Sequence, residues 1–215
     1  MPPHGPYPKS PLKLAVFISG GGTTLRNLLA RIADRSLDAE VRCVVSSNPK
    51  AKGLQFAAEA GIPAHIVERK SCSSAEEFQQ RIFEPCRTAN VDLVAMGGFL
   101  KHVLIPADFA WRVINIHPSL LPRHGGKGMY GHFVHEAVLK SGDRESGCTI
   151  HFVDNEYDHG PAILQRRVPV EPGDSPDQLA TRVFEAECEA YPAALKWYAA
   201  GQWDVAGGRL SGKTA

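Results

Sequence analysis

The chain reads as an α/β protein: a doubly wound, mostly parallel sheet, extended toward its C-terminal side by antiparallel strands and closed by one long helix. Three observations predict this. Short apolar runs alternate with stretches of helical periodicity up to about residue 122, and glycines follow such runs, as in Gly20-Gly21-Gly22 and Gly97-Gly98. Beyond residue 148, two strand-like runs meet across a polar connection before a final helical stretch. Strands alternating with helices of this length call for parallel pairing through right-handed crossovers.

Residues 1–11 are rich in proline and poor in apolar side chains, so a flexible tail is expected there. Leu12 to Ser19 is a compact apolar run suited to a strand buried on both faces. Thr23 to Ser36 places Leu25, Leu28, Leu29 and Ile32 at helical spacing, with Thr23 available as a cap. A strand at Val41–Ser47, a helix at Ala51–Gly61 and a short strand at Ala64–Glu68 follow. Ser73–Ala89 is a longer helix, with Phe78, Ile82 and Cys86 at four-residue intervals. Val91–Met96 and Val113–His117 are further strands. Gly125, Gly126, Gly128 and Gly131 mark a mobile loop leading to a helix at His132–Lys140. Strands at Cys148–Val153 and Ala162–Val170 are joined through Asn155 to Gly160 as a long hairpin connection. Ser175–Ala200 is one long helix, capped by Asp174 or Ser175, with Leu179, Val183, Ala186 and Ala190 as its apolar stripe. A single domain is expected over 12–204, with halves 12–122 and 123–204 and a second tail at 205–215.

The 215 residues, 43% hydrophobic and 22% charged, suit a soluble globular chain rather than a disordered one. Lys plus Arg (24) nearly balances Asp plus Glu (23), so the basic footprint of a general nucleic-acid binder is missing. No apolar stretch reaches the roughly 18 residues of a membrane span, and the N-terminus lacks a signal-peptide pattern. A cytoplasmic protein with neither nucleic acid nor membrane as partner is expected. The five cysteines are widely spaced with no C-x-x-C, so they read as buried hydrophobes in a reducing compartment. Oligomeric state is not encoded legibly, and a homodimer stays open.

Ser19-Gly20-Gly21-Gly22-Thr23-Thr24 ends a strand and opens a helix, where unpaired backbone N–H groups and the helix dipole form an anion site. A tight turn needing positive φ would also explain the glycines, but ligands bind at the carboxyl ends of strands, which favours a phosphate. A dinucleotide is disfavoured, because Leu25 stands where G-x-G-x-x-G needs a third glycine and Ser46-Ser47-Asn48 lacks the ribose-binding acid. A Walker-type site is disfavoured because no lysine follows the glycines. Asn115 and His117, two apart on a strand, point to one face, giving an amide donor and a titratable imidazole in one cleft. A histidine at a strand end is more often structural than catalytic, so spacing alone leaves both readings open. Asp158, beside Gly160-Pro161, is either turn chemistry or the acid that orients His117. His132 and His135 raise a metal site, but Glu136 follows the pair instead of sitting inside it as H-E-x-x-H requires, and no metal is expected.

Five segments together, Ile-Ser-Gly-Gly-Gly-Thr-Thr-Leu (18–25), Gly-Gly-Phe-Leu-Lys (97–101), Asn-Ile-His-Pro-Ser-Leu-Leu-Pro (115–122), Gly-Cys-Thr-Ile-His-Phe-Val (147–153) and Asp-His-Gly-Pro-Ala-Ile-Leu-Gln (158–165), resemble the phosphoribosylglycinamide formyltransferases. The resemblance runs in order over about 12–204 and implies a Rossmann-like formyltransferase fold. It implies transfer of a formyl group from the co-substrate 10-formyltetrahydrofolate to the amine of glycinamide ribonucleotide, a step of purine biosynthesis. By the same resemblance, Asn115, His117 and Asp158 take the places of the catalytic triad. Gly20, Gly21, Gly22, Thr23 and Thr24 take those of the phosphate loop, and Glu187 that of a ribose-contacting acid. Without the resemblance, Glu187 reads as a solvated helix charge. Phe99, Leu100, Lys101, His102 and Val103 align with the segment lining the folate pocket, and Val153 and Asp154 are expected to face it. Thr24 stands where the family usually has Asn, and Lys101 where Arg is usual, which replaces a bidentate fork by a point charge.

Related readings are a sugar-nucleotide formyltransferase, a formyltetrahydrofolate deformylase, which typically adds an N-terminal regulatory domain, and a methionyl-tRNA formyltransferase, which carries a further C-terminal domain. A non-catalytic nucleotide-binding regulator would keep the phosphate loop but have no need of Asn115, His117 and Asp158.

Overall fold

The computed structural model describes residues 10–201, 203–206 and 209–212. Seven strands form one sheet in the order β3-β2-β1-β4-β5-β6-β7. The strands are β1 (Leu12–Ile18), β2 (Ala39–Ser46), β3 (Ala64–Ile66), β4 (Leu93–Met96), β5 (Val113–His117), β6 (Glu145–Phe152) and β7 (Ala162–Pro169). Five helices accompany them: α1 (Thr23–Ala33), α2 (Gly53–Glu59), α3 (Ala75–Thr88), α4 (His132–Ser141) and α5 (Pro176–Ala199). Among the described residues no helix is long and apolar enough to cross a membrane. The chain packs as two compact units that divide between Ile114 and Asn115, inside β5.

In the unit spanning 8–114, β1 pairs in parallel with both β2 and β4, and β2 with β3. The chain runs outward from β1 through β2 to β3 and then returns to lay β4 on the other side of β1. That reversal is the switch point at which doubly wound sheets open a crevice beyond the carboxyl ends of their strands. The segments after β1 and β4 are Gly20-Gly21-Gly22 and Gly97-Gly98. Burial explains the strand pattern, since Leu14, Ala15, Val16, Phe17 and Ile18 are all fully enclosed. The Phe17 ring meets Phe83 of α3 at 5.6 Å, and Phe83 meets Phe109 at 4.8 Å. Each such ring removed from water contributes roughly 1.5–3 kcal/mol. The α3 stripe is as expected, with Phe78, Ile82 and Cys86 buried and Ser74 accepting from the Glu77 N–H as cap.

In the unit from Asn115 on, β6 and β7 pair antiparallel, with Cys148 opposite Arg166 and Ile150 opposite Leu164. Helix α5 packs on both strands, its Tyr198 ring 6.3 Å from Phe152. Its cap is Ser175 rather than Asp174, through a capping box with Gln178, because Ser175 alone stands three residues ahead of a glutamine. The connection from β6 to β7 is held by Gly160, where a Cβ would lie 2.0 Å from the Phe152 carbonyl oxygen, so only glycine lets the loop close. Where the sequence predicts a tail from 205, Trp203–Ala206 (β8) and Arg209–Gly212 (β9) pair antiparallel as a hairpin. Gly207-Gly208, a hairpin signal by residue type, falls within the stretch expected to be a tail. Residues 1–9 of the expected N-terminal tail, and 213–215 of the C-terminal one, lie outside the described residues.

Candidate active site

In the first unit the residues of the expected phosphate loop open α1. The N-cap is Gly22, not Thr23, and it lies in the left-handed region at φ 71. The reason is a close approach: a Cβ on Gly22 would come within 2.4 Å of the Gly53 Cα at the start of α2. No side chain caps this helix, so its first N–H groups are left for an incoming acceptor. Thr24 packs against Gly97, where a Cβ would stand 2.5 Å from the threonine Cβ, which explains a glycine directly after β4.

Ser19, which heads the glycine motif, ties three strand ends together. Its Oγ lies 2.7 Å from Ser47 Oγ and accepts from the Leu100 N–H at 2.9 Å, while its carbonyl accepts from Asn48 Nδ2 at 3.1 Å. In the expected folate segment Phe99 packs 5.4 Å from Phe17 and Val103 is buried, whereas Leu100, Lys101 and His102 are exposed. A cavity of about 560 Å³ is lined by Ser19, Asn48, Leu100, the cations Arg69, Lys70 and Lys101, and Glu68, which pairs with Lys70 at 2.9 Å.

In the second unit Asn115 and His117 share one face of β5, as their spacing predicts. Asp158, some forty positions downstream in the sequence, brings Oδ2 to 3.5 Å from His117 Nδ1, and the same oxygen accepts from the Gly126 N–H at 2.9 Å. His117 Nε2 donates to the His124 carbonyl at 2.8 Å. Both ring nitrogens therefore face oxygen atoms, Nε2 a backbone carbonyl and Nδ1 the Asp158 carboxylate. The side chain is 4% exposed, so the contacts act away from bulk solvent.

His151 on β6 completes the cluster. Its Nδ1 donates to the Phe152 carbonyl at 2.8 Å, and its Nε2 lies 3.3 Å from Asn115 Nδ2. Burial holds the ring below the ordinary histidine range, so it is neutral and Nε2 offers a lone pair. That lone pair takes one of the two amide hydrogens of Asn115. The signal was present in the 147–153 segment but carried no spacing rule of its own.

The glycine-rich segment is anchored at its start. His124 Nε2 donates to Asp143 Oδ2 at 2.7 Å, Arg123 pairs with the other oxygen of the same carboxylate, and Ser119 Oγ donates to the Arg123 carbonyl at 2.6 Å. The His124 hydrogen bond, with help from Ser141 and Arg123, holds the Asp143 carboxyl below the usual carboxylate range. Tyr130 and Phe133 stack edge-on at 5.5 Å and are both exposed.

Other predicted positions fall differently. Asp154 is engaged within its own loop, accepting from the Glu156 N–H and from His159 Nδ1 at 2.8 and 2.9 Å, and Val153 beside it is half-buried. Glu187 is not a solvated helix charge: it keeps some solvent contact, yet its carboxyl is enclosed closely enough for burial to push it up to about 7. Burial and this neighbour push the Cys148 thiol up to about 12, and burial with Glu187 raises the Tyr191 hydroxyl. His132 pairs with Glu136 and Asp177, and His135 turns into the core with Nδ1 unpartnered. Among the described residues no group of three or more His, Cys, Asp or Glu is arranged to hold a metal ion.

Comparison with known proteins bears on this cluster. The formyl transferase family matches residues 12–195. The phosphoribosylglycinamide formyltransferase of Haemophilus influenzae is 36% identical over 193 residues, covering 88% of each chain. The trifunctional purine biosynthetic protein adenosine-3 of Drosophila melanogaster is 38% identical over 187 residues, of whose length the chain spans 14%. The solved glycinamide ribonucleotide transformylase 1 of Symbiobacterium toebii superposes with a TM-score of 0.85 at 32% identity, over 94% of this chain and 93% of that one. A formyltetrahydrofolate deformylase from Pseudomonas syringae, at 22% identity and a TM-score of 0.81, shares the fold. With a family match over most of its length and relatives of like extent at this identity, the chain belongs to the formyl transferase family.

Proposed function

We propose that the chain is a phosphoribosylglycinamide formyltransferase, moving the formyl group of 10-formyltetrahydrofolate to the amine of glycinamide ribonucleotide. The observation that carries this is the cluster of the buried His117 and His151 with the half-buried Asn115 and Asp158, in which Asn115 lies 3.3 Å from His151 and the Asp158 carboxylate stands 3.5 and 3.7 Å from the two rings, in a chain whose relatives of like extent are named for that reaction. Attack of the amine on the formyl carbon forms a C–N bond and turns the carbonyl oxygen into an oxyanion. The free Asn115 N–H and the cationic His117 ring stabilise that charge, and their placement before the reaction removes the cost of reorganising solvent. Collapse breaks the bond from the formyl carbon to N10, and the proton lost by the amine is carried to N10. Asp158 holds the imidazolium and takes part in that transfer, through a water where the distance requires one.

The uncapped α1 start with Gly20 to Thr24 supports binding of the nucleotide phosphate. Glu187, whose carboxyl is protonated or charged near neutrality, suits a ribose hydroxyl as either donor or acceptor. Lys101, with Arg69 and Lys70 around the same cavity, supplies positive charge for the folate's carboxylates. We take the chain to act in the cytoplasm, where its five free cysteines stay reduced.

The test is conversion of 10-formyltetrahydrofolate to tetrahydrofolate, followed spectroscopically with and without glycinamide ribonucleotide. Turnover should require the nucleotide and fall about a hundred-fold or more in His117→Ala, the scale of lost acid-base and electrostatic assistance. Turnover without nucleotide would identify a deformylase. A folded protein inert with this nucleotide but active on a sugar-nucleotide amine would overturn the substrate assignment.

A further inference from the structure

We propose that Asp143 is a positioning residue for His117, acting through the peptide of His124. The relay is short. His117 Nε2 donates to the His124 carbonyl at 2.8 Å, so the orientation of that one peptide decides how the catalytic ring is turned. His124 has φ 54, a left-handed conformation that a residue with a side chain adopts only when its surroundings hold it there. Asp143 supplies the hold: one carboxylate oxygen takes His124 Nε2 at 2.7 Å, and the other takes the Arg123 guanidinium. Two consecutive side chains are thereby clamped by one carboxylate, while Ser119 Oγ fixes the carbonyl between them at 2.6 Å. The carboxylate is 10% exposed and the His124 ring 15%, so water competes weakly for these bonds.

The clamp also reaches the other partner of the ring. Directly after His124, a Cβ on Gly125 would meet the Asp158 Cβ at 3.3 Å, and the Gly126 N–H donates to Asp158 Oδ2. The same short stretch therefore presents an acceptor to one nitrogen of His117 and steadies the carboxylate facing the other. Asp143 itself lies outside the cluster, at the turn between α4 and β6, and touches neither ring nitrogen of His117. Its effect on the reaction is through geometry alone, and it depends on the formyl-transfer reading only in that kinetics are one of its two readouts.

Asp143→Ala and His124→Ala should each lower kcat about ten-fold with KM changed less than two-fold, the pattern of a misaligned catalytic group rather than a lost binding contact. Because both act along one path, the double variant should be no slower than either single one. In a His117→Ala background, Asp143→Ala should cost nothing further. Nitrogen NMR of histidine-labelled protein gives a second readout: the His117 ring signals should shift in Asp143→Ala and return toward wild type in Asp143→Glu. Unchanged His117 signals in a folded Asp143→Ala, or an equal loss of rate with and without His117, would overturn the relay. If wild type transfers no formyl group, the NMR arm still decides the relay, and only the proposed reaction falls.

Discussion

Replacing Glu187 by Gln tests whether burial governs this carboxyl. Enclosure raises it from 4.5 to about 7, and at about 1.4 kcal/mol per pH unit the folded state's hold on that proton amounts to about 3 kcal/mol. The direction follows from proton counting. Below pH 4.5 folded and unfolded chains both carry the proton, and the group costs nothing. Between 4.5 and 7 the unfolded chain releases it while the folded chain keeps it, so stability declines as pH rises. Above 7 the whole of that stability is lost. Glu187→Gln stays neutral throughout. It should match wild type at pH 4.5 to within the cost of seating an amide, and exceed it at pH 8 by up to about 3 kcal/mol. Urea unfolding at intervals from pH 4.5 to 8 measures this as the difference between the two proteins. Taking the difference cancels His135 and His151, which burial shifts downward and which titrate in both proteins alike. A difference that stays constant across the range would refute the argument and return Glu187 to the status of a solvated charge.

Two further expectations follow from the cluster and the loop. His151→Phe keeps the bulk but removes the lone pair that orients Asn115, so kcat should fall about ten-fold with little change in KM, measured in the folate assay. A loss of nucleotide binding instead would place His151 elsewhere in the chemistry. Gly22→Ala forces a side chain into the left-handed region and against Gly53, and should destabilise the fold by about 2–4 kcal/mol in denaturant unfolding. An unchanged midpoint would show that the two backbones are free to part.

Much of the architecture was legible because it rests on local chemistry. Apolar runs such as Leu12–Ile18 and Leu93–Met96 can only be satisfied inside a sheet, and the α3 stripe at Phe78, Ile82 and Cys86 repeats at the helical period. The alternation of a strand puts Asn115 and His117 on one face whatever surrounds them. Short-range signals failed where a distant neighbour set the outcome. Thr23 is a good cap by residue type, yet the approach of Gly53 requires Gly22 in that place. Glu187 looks like an exposed helix charge, and its enclosure beside Cys148 and Tyr191 depends on how α5 lies on β6.

By itself, then, the sequence determined the order and kind of the elements, the glycine loop opening α1 and the face shared by Asn115 and His117, because those follow from periods of two and 3.6 residues and from the backbone freedom of glycine. Only the tertiary structure decided that Asp158 meets His117, that the neutral ring of His151 fixes the Asn115 amide, and that Asp143 holds the peptide on which His117 rests. Such contacts join residues far apart in the chain. They form where packing brings strand ends and loops to one place, and no local pattern of residue types records them.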